Sequence, residues 1–580
     1  MTRSGAPRPP LRRARLARAA LLVAAAATFA SFLGTRDLWA PDEPKYALAA
    51  REMLETGEFL IPHVNGAPYP DKPPLMFWLV ALLGALGGGV GPATAVLPSM
   101  VAALFVLAGT MRLVRAVAPR AGPGAELVAA GLLLCAYRFV MQATTGQLDM
   151  LLCAFTTWAF VLLFEVLEGR AGTRRVVAAW ALAGLGTLAK GPVALVLPVG
   201  GVACAALATG RARSLRGIVR WSGLAAFVAV VGAWLLPAAV RAVATGRADW
   251  LADLLFRQTL VRYAASWHHH QPWWFFLAVP WYDLFPASAL LPAALAGLVR
   301  RDDAAPGPVP RQALLALAAA AGFAVLFFSI PSGKRGLYLL PIHPLLAALV
   351  ALDLEARRAA WRGAAMPRAG LAVAAVLLAA LAVAVAGLVG GAIPSDVPRW
   401  LADHGIALSP WPLAAALTAA ALAFAVAAAA WPRRPAVLVA PLVAMLAVWI
   451  VLARTVYPAV DASRSPARLV AEIRERTVPG AAGAMIDFRA QFGFYAGRML
   501  DVDPSDERAL ADAARRLAGR EPFWLLLRRE HLPLLERHLP PGRRPVVILE
   551  RPVGDDELLV LASPATPRRA PSAQAPGAVP

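Results

Sequence analysis

Along the chain, apolar runs of about 17 to 25 residues alternate with short arginine-bearing breaks, and runs of that length cross the ~30 Å hydrocarbon core of a bilayer as helices. They predict spans near 16–34, 93–111, 125–141, 149–167, 174–189, 191–208, 219–240, 273–298, 312–330, 335–352, 369–391, 411–430 and 435–453, about thirteen in all. One further apolar piece, 74–86, is short, and charge decides its place. If it crossed, the break holding Arg112, Arg115 and Arg120 would lie outside and every later break would invert with it. If it lies along the membrane or re-enters it, the N-terminal tail and the breaks 112–120, 170–175, 211–220, 300–311, 357–368 and 433–434 all become cytoplasmic, as the positive-inside rule requires. Arg12, Arg13, Arg15 and Arg18 ahead of 21–33 resemble a secretory signal, but so many spans follow that an uncleaved first helix is expected.

Two long loops, 35–74 and 241–272, then fall on the outer side, within a membrane domain covering 1–453. After Arg454 the pattern changes: short strand-like runs at 483–488, 522–527 and 545–549 alternate with helical stretches at 465–476 and 505–517. A small outer α/β domain over 454–563 is expected. The segment 564–580, rich in Pro, Ala, Ser and Gly and without aromatics, reads as a disordered tail.

Composition agrees: 59% of residues are hydrophobic, only 16% are charged, and mean hydropathy is +0.59, too apolar for a soluble protein of this size. The net charge of +21 does not indicate nucleic acid, because the basic residues sit in short breaks between spans rather than on one soluble face. Cys135, Cys153 and Cys204 all lie in apolar segments, as packing residues do, and lack disulfide or zinc-cluster spacing.

Only four of the 57 basic residues are lysines, Lys45, Lys72, Lys190 and Lys334, and all four fall on the outer side of this topology. A chain that writes arginine elsewhere and keeps lysine here points to a compact, flexible ammonium, suited to a phosphate oxygen. The first outer loop concentrates ionisable groups. Asp42 and Glu43 precede a helix expected over 47–56 and stopped by Gly57. Acids there favour the helix dipole, and capping needs only one of them. The chemical reading makes one a general base toward an acceptor hydroxyl while its neighbour holds structure or sugar.

The run Pro41-Asp42-Glu43 through Tyr46, with Arg51-Glu52-Met53, Pro62-His63, Asn65-Gly66 and Lys72-Pro73-Pro74-Leu75, resembles the first periplasmic loop of bacterial aminoarabinose transferases. These are similar to protein O-mannosyltransferases, all being GT-C-class membrane glycosyltransferases that use polyprenyl-phosphate sugars. The resemblance continues through Leu148-Asp149, Lys190-Gly191-Pro192-Val193, Arg262-Tyr263, Pro272-Trp273-Trp274 and Lys334 with Tyr338-Leu339-Leu340-Pro341. It implies an all-α polytopic protein of the bacterial inner membrane, with about thirteen transmembrane helices, a cytoplasmic N-terminus and a periplasmic C-terminal domain. It also implies transfer from an undecaprenyl-phosphate sugar to lipid A, another glycan or, with less support, a protein. Asp42 and Glu43 match the family's acidic pair and Asp149 an acid at the second outer loop. Lys72 matches a lysine on the donor phosphate, and Arg262 and Tyr338 fall where further phosphate contacts lie. Lys45, Tyr46, His63, Asp71 and Lys190 complete the candidates. Two departures, Asp71 in place of the commoner glutamate and a segment 332–336 without the usual proline, bear on the substrate rather than the class.

A polyprenyl phosphate leaves readily once neutralised, so Lys72, Arg262, Lys334 and Tyr338 are expected to stabilise it without a cofactor. Displacement would invert the anomeric centre. Bland alternatives stand beside these roles: Asp149 as a cap, Lys190 as a snorkelling interface cation, Arg262 as a loop cation, His63 as a loop contact, and Tyr338 as a belt aromatic like Trp273 and Trp274. His268, His269 and His270 are consecutive and lack metal-site spacing, so a divalent metal finds no support. A transporter or flippase of lipid-linked sugars is the alternative from another class. It calls for interrupted helices and midplane charges in related halves, and no clear pair of interrupted helices is legible.

Overall fold

A computed structural model describes residues 11–170, 172–261, 270–300, 308–360, 365–542, 545–553 and 556–567. Every predicted span is helical. Among the described residues, eight helices are long and apolar enough to cross a membrane, from Pro92–Val117 to Ala436–Arg464, and ten if two bent pairs each count once. The other predicted spans are helices α1 (Leu11–Ala30), Thr173–Lys190 and Val193–Ala208. The first two carry three or more charged residues, and the last, at sixteen residues, is about 24 Å long. The chain is thus a multi-pass membrane protein, with eight to ten candidate spans by length and composition among the described residues.

Both bent pairs correct the expectation of uninterrupted helices. Pro123–Cys135 meets Tyr137–Ala143 at 75°, and Phe275–Asp283 meets Ala287–Val299 at 110°. Ala136 takes an extended backbone, and Tyr137 N donates to Phe285 O at 3.2 Å, so the two breaks are tied to each other. Arg138 and Asp283, from the two sides, pair at 2.9 Å.

Burial sorts the helices. In Leu148–Leu167 and Gly336–Arg358, 83% and 89% of the apolar window is buried by other helices, against 17% in Trp221–Ala244, which presents Leu236, Val240 and Val243 outward. The first two form the centre of the bundle and the last its lipid-facing rim. The ambiguous apolar piece is a twelve-residue helix, Leu75–Leu86, about 18 Å long and too short to span. It lies on its buried Met76, Phe77, Val80 and Ala81, with Leu82 and Leu86 exposed.

The C-terminal region forms a five-stranded sheet in the order β4-β3-β5-β7-β6, with β3 (Ala482–Ile486), β4 (Leu500–Val502), β5 (Phe523–Arg528), β6 (Val546–Val553) and β7 (Asp556–Ala562). A two-residue hairpin in the first loop, β1 (His63–Val64) and β2 (Ala67–Pro68), precedes it. β4, β3 and β5 run parallel, while β5, β7 and β6 run antiparallel. Alternate residues feed two cores, one per face: Ala484, Ile486, Leu525 and Leu527 on one, Met485 and Leu526 on the other. The helices Pro466–Arg476 and Glu507–Ala518 are capped by Ser465 and Asp506. Residues 564–567, expected to belong to a disordered tail, are instead held against the sheet: the Ser563 and Thr566 hydroxyls bond the Phe523 backbone and Thr477 bridges Pro567. Residues 568–580 lie outside the described ones.

Candidate active site

The helix after the acidic pair is α2, Glu43–Thr56, one turn longer than expected because Pro44 is tolerated in a first turn. Gly57, at φ +72°, ends it by donating its N–H to Met53 O. Asp42 occupies the N-cap position, yet its side chain makes no capping hydrogen bond, which disposes of the capping reading for this residue. It remains partly exposed, with Arg335 Nη1 at 3.6 Å from Oδ2.

Glu43 behaves differently. It is buried, and Arg36 grips it with two bonds of 2.5 and 2.8 Å. The Trp39 and Gly146 backbone N–H groups donate to it at 3.0 and 2.6 Å. Burial alone would push the Arg36 guanidinium down, but Glu43 more than reverses this and its pKa is raised. Glu43 therefore clamps the first loop to the turn before Leu148–Leu167, with its acceptor capacity spent.

Tyr46, one turn after Asp42, is buried. Burial first, then the nearby Asp42, Tyr69 and Asp149, raise its hydroxyl well above the ordinary tyrosine value, so it stays protonated within electrostatic reach of both aspartates. Asp149, in the first turn of Leu148–Leu167, is also buried and is paired with Lys190, the last residue of Thr173–Lys190. That pairing replaces both the cap and the snorkelling readings. The Lys190 ammonium in turn lies 5.3 Å from the Tyr338 ring centroid, and Phe328 packs on the same ring at 5.7 Å. Tyr338 is thus an inward contact rather than a belt residue, whereas Trp273 and Trp274 are exposed.

Lys334 is buried and donates to Gln271 O at 3.2 Å. Gln271 N bonds Ser332 O, and His270 bridges Gly333, so the end of the second long loop is strapped beside the segment carrying Lys334, Arg335 and Tyr338. Asp71 and Lys72 are half-buried just before Leu75–Leu86. His63 uses both ring nitrogens structurally: Nδ1 meets Ile61 O at 2.8 Å and Nε2 meets Arg247 at 2.6 Å. Burial, with Arg247, depresses its pKa. Arg262, Tyr263, His268 and His269 lie outside the described residues. Among the described residues, no three His, Cys, Asp or Glu side chains converge as a metal site would need.

The C-terminal sheet domain holds the loop from above. Asn65 exchanges two bonds with the Met499 backbone at 2.8 and 3.1 Å, and Arg51 donates to Phe494 O at 2.5 Å. Asp461 accepts from Asp37 N and Trp39 Nε1 at 2.9 and 2.7 Å. Sequence reasoning missed Arg36 and Arg335. Arg36 is hidden among so many arginines, while Arg335 carried a signal, standing beside Lys334 in the segment that departs from the usual pattern.

Comparison with known proteins places this arrangement. The profile of the dolichyl-phosphate-mannose-protein mannosyltransferase family matches residues 71–236. An undecaprenyl phosphate-alpha-4-amino-4-deoxy-L-arabinose arabinosyl transferase from Pseudomonas savastanoi pv. phaseolicola is 30% identical over 400 residues, covering 66% of this chain and 70% of the relative. One of the same name from Pectobacterium carotovorum is 34% identical, with 55% of each chain covered. The chain spans only 55% of that relative's length, and 64% of a Pseudomonas aeruginosa relative 32% identical to it. In fold, the chain is similar to ArnT from Cupriavidus metallidurans crystallised with undecaprenyl phosphate, at a TM-score of 0.73, 20% identity, and coverage of 94% of this chain and 97% of that one.

Proposed function

Because the chain belongs to the family of undecaprenyl phosphate-aminoarabinose arabinosyl transferases, we propose that it transfers a glycosyl group from an undecaprenyl-phosphate donor to an acceptor at the periplasmic face of the bacterial inner membrane. Lipid A or another envelope glycan is the preferred acceptor, with protein less favoured. The N-terminus is assigned to the cytoplasm and the sheet domain, 454–563, to the periplasm. The observation that carries this reading is the convergence, from four separate segments, of Asp42, Tyr46, Asp149 with Lys190, and Arg335 with Tyr338.

In the proposed reaction, an acceptor oxygen bonds to the anomeric carbon as the bond from that carbon to the donor phosphate oxygen breaks, and the electron pair leaves with the phosphate. Lys72, Arg262, Lys334 and Tyr338 are assigned to that developing charge. A hydroxyl acceptor gives its proton to Asp42, whereas an acceptor phosphate is already anionic and needs no base. Direct displacement inverts the anomeric centre. Glu43 is assigned to hold the loop in place, and neither step calls for a cofactor.

One observation favours a second reading, a transporter or flippase of lipid-linked sugars. The two broken helices meet at the Arg138–Asp283 pair, as discontinuous helices do at transport sites. Against it, Asp283 already has its counter-ion, and the loosely held acid lies in the first outer loop instead. Membranes containing the chain, supplied with radiolabelled undecaprenyl-phosphate sugar and lipid A, test the two. Label should move to the acceptor, and Lys72→Ala should reduce transfer at least tenfold. Label that crosses the membrane without changing its carrier would support the transporter.

A further inference from the structure

Three of the four lysines at the outer end are engaged: Lys190 with Asp149, Lys334 with a backbone carbonyl, and Lys72 as well. Lys45 is the exception. Among the described residues its ammonium makes no hydrogen bond or ion pair, although the side chain is half-buried. It borders a cavity of about 250 Å³ whose other walls are apolar or aromatic: Val64, Pro68 and Tyr69 from the first loop, Phe488 and Ala490 from the sheet domain. A cation at the rim of such walls without a counter-charge is free to take an anionic group.

We propose that this cavity is the acceptor subsite, and that Lys45 binds an anionic group, a phosphate ester, on an amphipathic acceptor whose body packs against Tyr69 and Phe488. The proposal rests on the glycosyl-transfer reading above and adds to it where the acceptor enters and what selects it. Position along α2 supports it: Lys45 lies three residues after Asp42 and so on a neighbouring part of the same helical face. Tyr69, in the cavity wall, packs on the Phe77 ring at 6.2 Å between centroids, and Tyr46, one turn after Asp42, packs on the same ring at 5.6 Å. The cavity therefore adjoins the reacting centre. A donor phosphate has the same chemistry, but its polyprenyl chain must remain in the bilayer, whereas the sheet domain outside the membrane forms one wall here. The sheet domain then becomes part of the recognition surface instead of a passive cover.

Binding and turnover together test this on the full chain in lipid nanodiscs. Wild-type protein should bind phosphorylated lipid A about tenfold more tightly than its fully dephosphorylated counterpart. Lys45→Ala should erase that difference and raise the acceptor KM about tenfold, while undecaprenyl phosphate binding changes less than twofold. Lys45→Arg should restore most of the discrimination, and Ala67→Trp, which fills the cavity from the hairpin, should weaken acceptor binding without touching the charge. Equal weakening for both lipids, an unchanged preference in Lys45→Ala, or weakened undecaprenyl phosphate binding would each overturn the proposal, the last by assigning Lys45 to the donor. Because the binding arm needs no turnover, a wild-type chain that binds the phosphorylated lipid through Lys45 yet transfers nothing would refute the transferase reading and leave the subsite standing.

Discussion

The two ends of the helical bundle differ in how completely their acids are partnered. At the arginine-rich end, Glu126 is held by Arg18 at 2.9 Å and Arg115 at 2.8 Å, and Glu165 by Arg112 and by Arg175 at 2.9 Å. Both of these acids have two guanidinium partners. At the other end Glu43 follows the same rule, saturated by Arg36 and two backbone N–H groups. Among the described residues, its neighbour Asp42 has only a 3.6 Å side-chain contact, Asp149 a single lysine, and Lys45 nothing. A buried acid with every lone pair occupied is architecture, whereas groups left under-satisfied at a loop–domain boundary are free to engage a substrate. The comparison separates Asp42 from Glu43, adjacent in sequence and identical in charge.

The largest effect expected from this contrast is on stability. Glu165→Ala strips the partner from Arg112 and Arg175, and Glu43→Ala strips it from the nearly buried Arg36. Glu43→Ala should cost about 3–5 kcal/mol, as loss of one member of a buried pair does, and Glu165→Ala less, about 1–3 kcal/mol, because Arg112 and Arg175 are each more than a third exposed; both are read as a fall in the melting temperature of the detergent-solubilised chain. Glu165→Ala should retain transfer per folded molecule, and Glu43→Ala should lose it, since only the second loosens the first loop. Equal activity in the two variants would break the distinction between the ends.

A smaller effect is expected where the sheet domain grips the loop. Asn65→Ala removes two hydrogen bonds to Met499 and should cost about 1–3 kcal/mol. Proteolysis should then release the sheet domain more readily than in the wild type.

The smallest effect is a pH dependence at His63. Its folded pKa lies below the ordinary 6.5, so as pH falls below 6.5 the unfolded chain takes up the proton first. The stability this neutral ring contributes is complete above 6.5 and is lost as pH falls toward the folded value. His63→Gln should flatten that slope between pH 7 and 5, and an unchanged slope would remove His63 from the account.

Much of this fold was legible because bilayer thickness sets run length, and because arginine placement settled the short helix Leu75–Leu86. Strand β7 was not: Leu558 to Leu561 are buried on both faces, which erases the alternation that marks a strand. The bends at Ala136 and Pro286 escaped because apolar composition continues through them. The first-loop acids and the lysines stood out by residue type and by resemblance. Their division of labour did not, since it depends on Gly146, Arg36 and Arg335, which are remote or indistinguishable in a chain so rich in arginine. That Asp149, Lys190 and Tyr338 touch is a consequence of helix packing, which no local spacing encodes.

The most direct test of the central claim, that Asp42 serves chemistry while Glu43 serves structure, is Asp42→Asn measured for transfer and melting on the same preparation. With a hydroxyl acceptor, transfer from undecaprenyl-phosphate sugar should fall by about 10²–10⁴-fold while the melting temperature stays within a degree or two of wild type. Unimpaired transfer to such an acceptor, or a loss of transfer that only tracks unfolding, would contradict it.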